Sequence, residues 1–160
     1  MADIEKQTDQ IDRIDMAILR HLSADGRMSA TDLAQHIGLS KSPCQVRLKK
    51  LQELGYIRGF RAVLDPQRLG LDHIAFVEVR LSDTTEAALS AFNAAVSAVP
   101  EVEECHMIAG AFDYLLKVRT TDIRSYREVL GVKISALPHV ANTSTHVSMQ
   151  AVKEATSPTL

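Results

Sequence analysis

The chain has 160 residues, 46% of them apolar, with a formal net charge of -2, which fits one ordinary globular domain or two small ones and excludes a disordered chain. Aromatic content is only 4%, with no Trp, which argues against stacking platforms for single-stranded nucleic acid, and no apolar run approaches the ~20 residues that span a bilayer. The polar, acidic start MADIEKQTDQIDRID does not read as a signal peptide, and Cys44 and Cys105, far apart and at no metal spacing, read as free thiols of a reducing cytoplasm.

In chain order, Ile11, Ile14, Ile18, Leu19 and Leu22 recur at helical spacing before Gly26, predicting a first helix over about 10–24. Ser29 can cap a second, short helix over TDLAQHIG, with Asp32 at its positive N-terminal end and Gly38 at its stop. Its inward residues are Leu33, Ala34 and Ile37. Ser40 caps a third helix that tolerates Pro43 within its first turn and ends near Gly55. Three helices in quick succession, the last two joined at Gly38–Leu39, are the layout of a helix-turn-helix. YIRGFRAVLD then reads as a short extended segment and PQRLGLD as a turn-rich connector. Beyond it, HIAFVEVRL alternates as a strand, and TEAALSAFNAAVSAV is a helix with Ala88, Leu89, Phe92, Ala95, Val96 and Val99 on one side. VEECHMIA and FDYLLKVRT are two strands around Gly110, DIRSYREVLGVKISAL a second helix, and VANTSTHVSMQAV a last strand.

The predicted fold class is therefore α+β. A three-helix, winged helix-turn-helix over 1–62 is followed by a connector over 63–72. A ferredoxin-like β-α-β-β-α-β domain over 73–154, one antiparallel sheet with two helices on one face, precedes a tail at 155–160.

Charge is unevenly placed. Residues 1–62 carry ten Lys/Arg and eight Asp/Glu; residues 63–160 carry eight and twelve. The positive excess sits in GLSKSPCQVRLKKLQELGYIRGFR, residues 38–61, where Lys41, Arg47, Lys49, Lys50, Arg58 and Arg61 face the single acid Glu53. On a helical wheel Cys44, Leu48 and Leu51 fall on one side and Ser42, Gln45, Val46, Lys49 and Glu53 on the other. Lys41, Arg47 and Lys50 are read as flanking cations for phosphate. The polar centre is read as facing bases: Gln45 toward adenine, Lys49 toward guanine, Val46 toward a thymine methyl, Ser42 toward either. Double-stranded DNA is the expected partner. The alternatives are a merely solvated face and an ion pair of Arg47 with Asp32 or Glu53.

His106, His139 and His146 fit no ligand set, so no metal and no cofactor are expected. Cys105, on a strand, and Cys44, on its helix, read as core residues. No phosphate loop, dinucleotide fingerprint, HExxH or nucleophile motif is present, so an enzyme is not expected. A small ferredoxin-like enzyme and a stand-alone amino-acid-binding module are the rival readings.

The segments IDRIDMAILRHLSADGRMS, DLAQHIGLSKSPCQVRLKKLQELGYI, ECHMIAGAFDYLLKVRTTD, SYREVLG and LPHV resemble the leucine-responsive regulatory protein / asparagine-regulator family of transcription factors. The likeness runs from about Ile11 to Glu154. It leans toward the branch of the leucine-responsive protein and the activators of proline dehydrogenase. The resemblance implies an N-terminal DNA-binding domain in which the third helix, Pro43 included, meets DNA. It also implies a C-terminal domain that oligomerises, as dimers through the sheet and often as octamers, and that senses an amino acid such as proline or leucine. Carried onto this chain, the effector residues are Met107, Ile108, Gly110, Asp113 and Tyr114, with Thr143, Thr145, His146 and Ser148 as weaker candidates. By the same resemblance, Ala111 stands where the leucine-responsive protein has Asp, so effector identity or affinity is expected to differ. In such a site Asp113 would meet the ammonium, backbone N–H groups around Gly110 the carboxylate, and Met107 and Ile108 the side chain. The plain alternative is that Gly110–Asp113 is only a hairpin turn.

Overall fold

A computed structural model of the chain describes residues 11–154. The described residues form two compact units, 11–63 and Leu64–Glu154; the expected tail at 155–160 lies outside the described residues.

The first unit holds three helices: α1, Arg13–Ala24; α2, Ala30–His36; and α3, Lys41–Glu53. Asp12 caps α1 by accepting from the backbone N–H groups of Ile14 and Asp15, while the Asp15 carboxylate accepts from the backbone N–H of Asp12. This reciprocal capping box satisfies N–H groups that have no partner within the helix. Ser29 caps α2 as expected, through the Asp32 N–H at 3.1 Å. Gly38, at φ 69°, ends α2 in the left-handed region, and the N–H of Leu39 bonds the Ala34 carbonyl, a Schellman closure that favours glycine. Ser40 stands at the start of α3, but its hydroxyl makes no capping bond, which corrects that detail. Ile18, Leu33, Ala34, Cys44 and Leu51 form the buried centre, with Ile11, Leu19, Leu22, Ile37 and Leu48 packed around it. The predicted inward stripes of all three helices thus meet in one core, which is what fixes short helices that would not be stable alone. No strand falls between α3 and the sheet among the described residues.

The second unit runs β1, His73–Leu81; α4, Glu86–Val96; β2, Val102–Met107; β3, Tyr114–Thr120; α5, Ile123–Glu128; and β4, Val140–Val147. The sheet order is β2-β3-β1-β4, antiparallel throughout, as the split βαβ pattern requires. Strand alternation sorts the faces. Ala75, Val77 and Val79 of β1 and Tyr114, Leu116 and Val118 of β3 join Phe92, Val96, Tyr126, Val129 and Ile134 from the helical segments in the core. Phe76 and Arg80 point to the other, uncovered face and are exposed.

Three expectations change here. The second helix is not one regular helix: after α5 the chain continues as a π-helical segment, Val129–Ile134, around Gly131, the weakest helix former in the stretch. The last strand stops at Val147. Cys105 is exposed, not core, because it lies on the edge strand β2, whose residues Glu103–Met107 are all exposed; the buried strand positions belong to β1 and β3. Cys44 is buried as expected.

Candidate nucleic-acid interface and effector region

On α3 the structure separates the predicted DNA-facing residues into two groups. Lys41, Ser42, Pro43, Gln45, Val46 and Lys49 are exposed, Val46 to 69%. A bare Val among polar neighbours suits contact with an apolar base edge. Lys49 lies 3.5 Å from Glu53 one turn on, a solvent-exposed pair of small energetic weight.

Arg47, half-buried, and Lys50, itself exposed, both reach back to α1. The Arg47 Nη1 sits 2.7 Å from Asp12 Oδ2 and 2.8 Å from Asp15 Oδ1. Lys50 Nζ is 3.4 Å from Asp15 Oδ2. Asp15 is fully buried. Arg47 is therefore ion-paired, but to the start of α1 and not to Asp32 or Glu53. It is about 60° from Cys44 around the helix, so it borders the packing stripe more closely than the outer face. The Asp15 backbone N–H, followed by the Arg47 guanidinium, holds the Asp12 carboxyl below its usual range. Asp15 and then Asp12 raise the already high pKa of Arg47. The acids were missed at the sequence level because they read only as an acidic terminus. The Asp-x-x-Asp spacing at a helix start was the available signal.

In the sheet unit, Met107, Ile108, Gly110 and Asp113 gather at the β2–β3 connection. Ile108 N–H donates to the Asp113 carbonyl at 2.8 Å, and Asp113 N–H to the Val79 carbonyl at 2.9 Å. The Asp113 carboxylate accepts from Leu81 N–H at 2.7 Å, next to the irregularity in β1 at Arg80/Leu81. The Asp113 carboxylate thus ties the hairpin to β1. A Cβ on Gly110 would meet only Ile108 Cγ2, at 3.5 Å. That is ordinary contact, so steric need for glycine does not carry the close-approach argument. Met107 is 56% exposed.

Tyr114, unlike Met107, is placed in the core. It is 2% exposed, its ring 4.4 Å from Phe92, and burial raises its hydroxyl pKa. Thr143 pairs with Val79, which pairs with Tyr114 on its other side, so the start of β4 and the hairpin share one end of the sheet, about 10 Å apart by strand spacing. Thr145, its hydroxyl 2.6 Å from that of Tyr126, faces the helices. His146, 3.2 Å from Glu78, pairs with Phe76 on the uncovered face. Ser148 N–H donates to the Ile74 carbonyl at the opposite end. The weaker candidates are thus divided between faces and ends. The uncovered face also carries an open depression of about 240 Å³ lined by Glu78, Arg80, Phe112, Asn142 and Ser144, which the sequence reading did not single out.

Among the described residues, no group of three or more His, Cys, Asp or Glu could hold a metal ion. Among the described residues, no helix is long and apolar enough to cross a membrane.

Residues 11–58 match the winged helix-turn-helix DNA-binding family model, and residues 74–158 match that of the Lrp/AsnC ligand binding domain. The chain is 68% identical over 148 residues to a proline dehydrogenase transcriptional activator of Rhizobium radiobacter, covering 92% of this chain and 95% of that one. It is 41% identical over 155 residues to the leucine-responsive regulatory protein of Escherichia coli, covering 96% and 94%. A transcriptional regulator of Neisseria meningitidis, solved as a complex with L-Met, shares the fold at a TM-score of 0.85, with 30% identity over 92% of this chain and 96% of that one. With a basic helix-turn-helix unit and a four-stranded ligand-binding unit that match along nearly the whole length of such relatives, this chain belongs to the Lrp/AsnC family of transcriptional regulators.

Proposed function

We propose that the protein recognises a specific duplex sequence through the exposed face of α3 and adjusts that binding to an amino acid held by the sheet unit. The observation that carries the reading is the exposed row Ser42, Gln45, Val46 and Lys49 with Lys41 beside it, on the second helix of a tight helix-turn-helix. Phosphate contacts from Lys41 set the register, and the central side chains read bases. The protein works as a homodimer that sets two α3 helices in successive major grooves, about one turn apart, and builds higher oligomers, up to an octamer. It acts in the cytoplasm, needs no cofactor or metal, and turns over no substrate.

The effector is an amino acid, with proline or leucine first in line. The names of the 68% and 41% identical relatives support that choice, as does L-Met in the Neisseria structure. By the same likeness its targets are genes of amino-acid metabolism, proline dehydrogenase first among them. Met107, Ile108, Gly110 and Asp113 form the ligand-contacting group, with Thr143 at the same end of the sheet. Effector binding shifts assembly or dimer geometry and thereby DNA affinity.

Fluorescence anisotropy of the purified protein on its own upstream DNA, across a salt series and with each amino acid added, tests this. Saturable, salt-sensitive binding tighter than to random duplex is expected, with proline or leucine moving the curve. Failure to select any duplex from a random pool, or steady consumption of an amino acid, would overturn it.

A further inference from the structure

We propose that Asp15, backed by Asp12, sets the orientation of α3 on DNA by holding Arg47, which acts as a positioning residue and contacts no phosphate. This rests on the DNA-binding reading above. Asp15 is fully buried, and a buried carboxylate is tolerable only when paired and hydrogen-bonded. Its oxygens take Arg47 Nη1 at 2.8 Å, Asp12 N–H at 3.2 Å and Lys50 Nζ at 3.4 Å. If Arg47 swung out to a phosphate, it would weaken two carboxylate contacts and remove the closest cation from a charge that water does not reach. The guanidinium therefore stays on the protein side.

The placement of the clamp gives it leverage. Asp12 and Asp15 are the cap and third residue of α1, whereas Arg47 is mid-α3, between the buried Cys44 and Leu51. The apolar contacts of Ile18, Leu33, Ala34, Cys44 and Leu51 act through shape and have no preferred direction of their own. Two directional charge-assisted bonds to one nitrogen resist a roll of α3 about its axis. A roll of α3 by one residue's angle, about 100°, would exchange the outer row for its neighbours. Even a fraction of it would carry Gln45 and Lys49 off the base edges.

Full-length Arg47→Met, Arg47→Lys, Asp15→Asn and the Asp15→Asn/Arg47→Met double variant would be titrated onto a duplex selected by the parent chain from a random pool, and onto random duplex, at several salt concentrations. The expected result is a loss of about tenfold in the selected-over-random affinity ratio for Arg47→Met and Asp15→Asn. Random-duplex affinity and its salt slope stay at parent values. The double variant loses no more than either single one, since both break the same pair, and Arg47→Lys recovers part of the ratio. A salt slope reduced by about one in Arg47→Met, with equal weakening on both duplexes, would make Arg47 a phosphate contact and overturn the proposal. So would an Asp15→Asn variant that binds as the parent does. If circular dichroism shows Asp15→Asn unfolded, the contrast between Arg47→Met and Arg47→Lys decides alone. A parent chain that selects no duplex would sink the DNA reading itself, before any variant is made.

Discussion

The helical unit closes around Ile18, Leu33, Ala34, Cys44 and Leu51, without an aromatic ring among its fully buried residues, and places a charged carboxylate, Asp15, beside that core. The sheet unit buries Phe92, Tyr114 and Tyr126 among branched aliphatic side chains and carries an ion-pair cluster on the uncovered face. There Lys117 reaches Glu154 at 2.5 Å and Glu103 at 3.1 Å, and Arg119 reaches Glu103 and Glu154. The contrast teaches that equal-looking charges do unequal work. Where the apolar centre is thin, directional bonds take over the orienting of helices. Where ladders and large side chains already set the register, ion pairs only cover a surface.

The comparison can be broken most strongly through the sheet core. Phe92→Ala removes a fully buried ring against Tyr114 and is expected to cost about 3–5 kcal/mol, read as a lowered urea midpoint; a loss under 1 kcal/mol would show that the sheet core is not the dominant support. Asp15→Asn is expected next, at about 1–3 kcal/mol, below the range for fully buried pairs because Arg47 reaches solvent. Thermal unfolding followed by helix signal measures it, and an unchanged midpoint would remove the ion cluster from the account of the helical unit.

Asp113 sharpens the comparison at the hairpin. Asp113→Ala loses the Leu81 bond and should destabilise by about 1–2 kcal/mol, whereas Asp113→Asn keeps an acceptor oxygen and should cost less. If Asp113→Asn folds with parental stability yet loses the effector response in the anisotropy assay, the charge serves the ligand; an intact response leaves Asp113 with the turn alone. Glu154→Gln belongs at the small end, at about 0–1 kcal/mol, because the pairs on the sheet face are partly solvated.

Acid should bring out the same division. The Asp12 carboxyl is lowered by the Asp15 N–H and by Arg47. In the sheet unit the lowered carboxyls are Asp83 and Asp122, through backbone N–H groups of Thr85 and Ser125, and Glu101 and Glu154, through Lys133 and Lys117. A carboxyl lowered in the folded state contributes stability above its unfolded pKa, and loses it as pH falls through the folded value. Stability should therefore hold at neutral pH and decline progressively below about pH 4.5, in a denaturant series taken from pH 7 to pH 2. A midpoint that rises on acidification would contradict the assignment.

Much of this was legible in the residues. The periodicity of Ile18, Leu33 and Leu51 and the stop at Gly38 are local statements, and the alternation in HIAFVEVRL marked β1 as a strand. What misled was identity without neighbours. Tyr114 is an effector candidate by resemblance, yet its ring packs on Phe92 in the core; Cys105 reads as core, yet its strand is the edge. The broken second helix had Gly131 as a signal, but one glycine does not announce a π turn.

Composition and spacing by themselves thus determined the two-part architecture, the order of elements and the basic helix, because helical and strand periods are written in the chain within a turn or two of each residue. Tertiary structure decided which charges face outward and which lock helices together. Asp12 and Asp15 stand more than 30 positions from Arg47, as the separations of their bonds record, and no local pattern shows that folding will bring them within 3 Å. A side chain's partner at that range depends on how whole helices pack, and that packing is settled only when every buried stripe is satisfied at once.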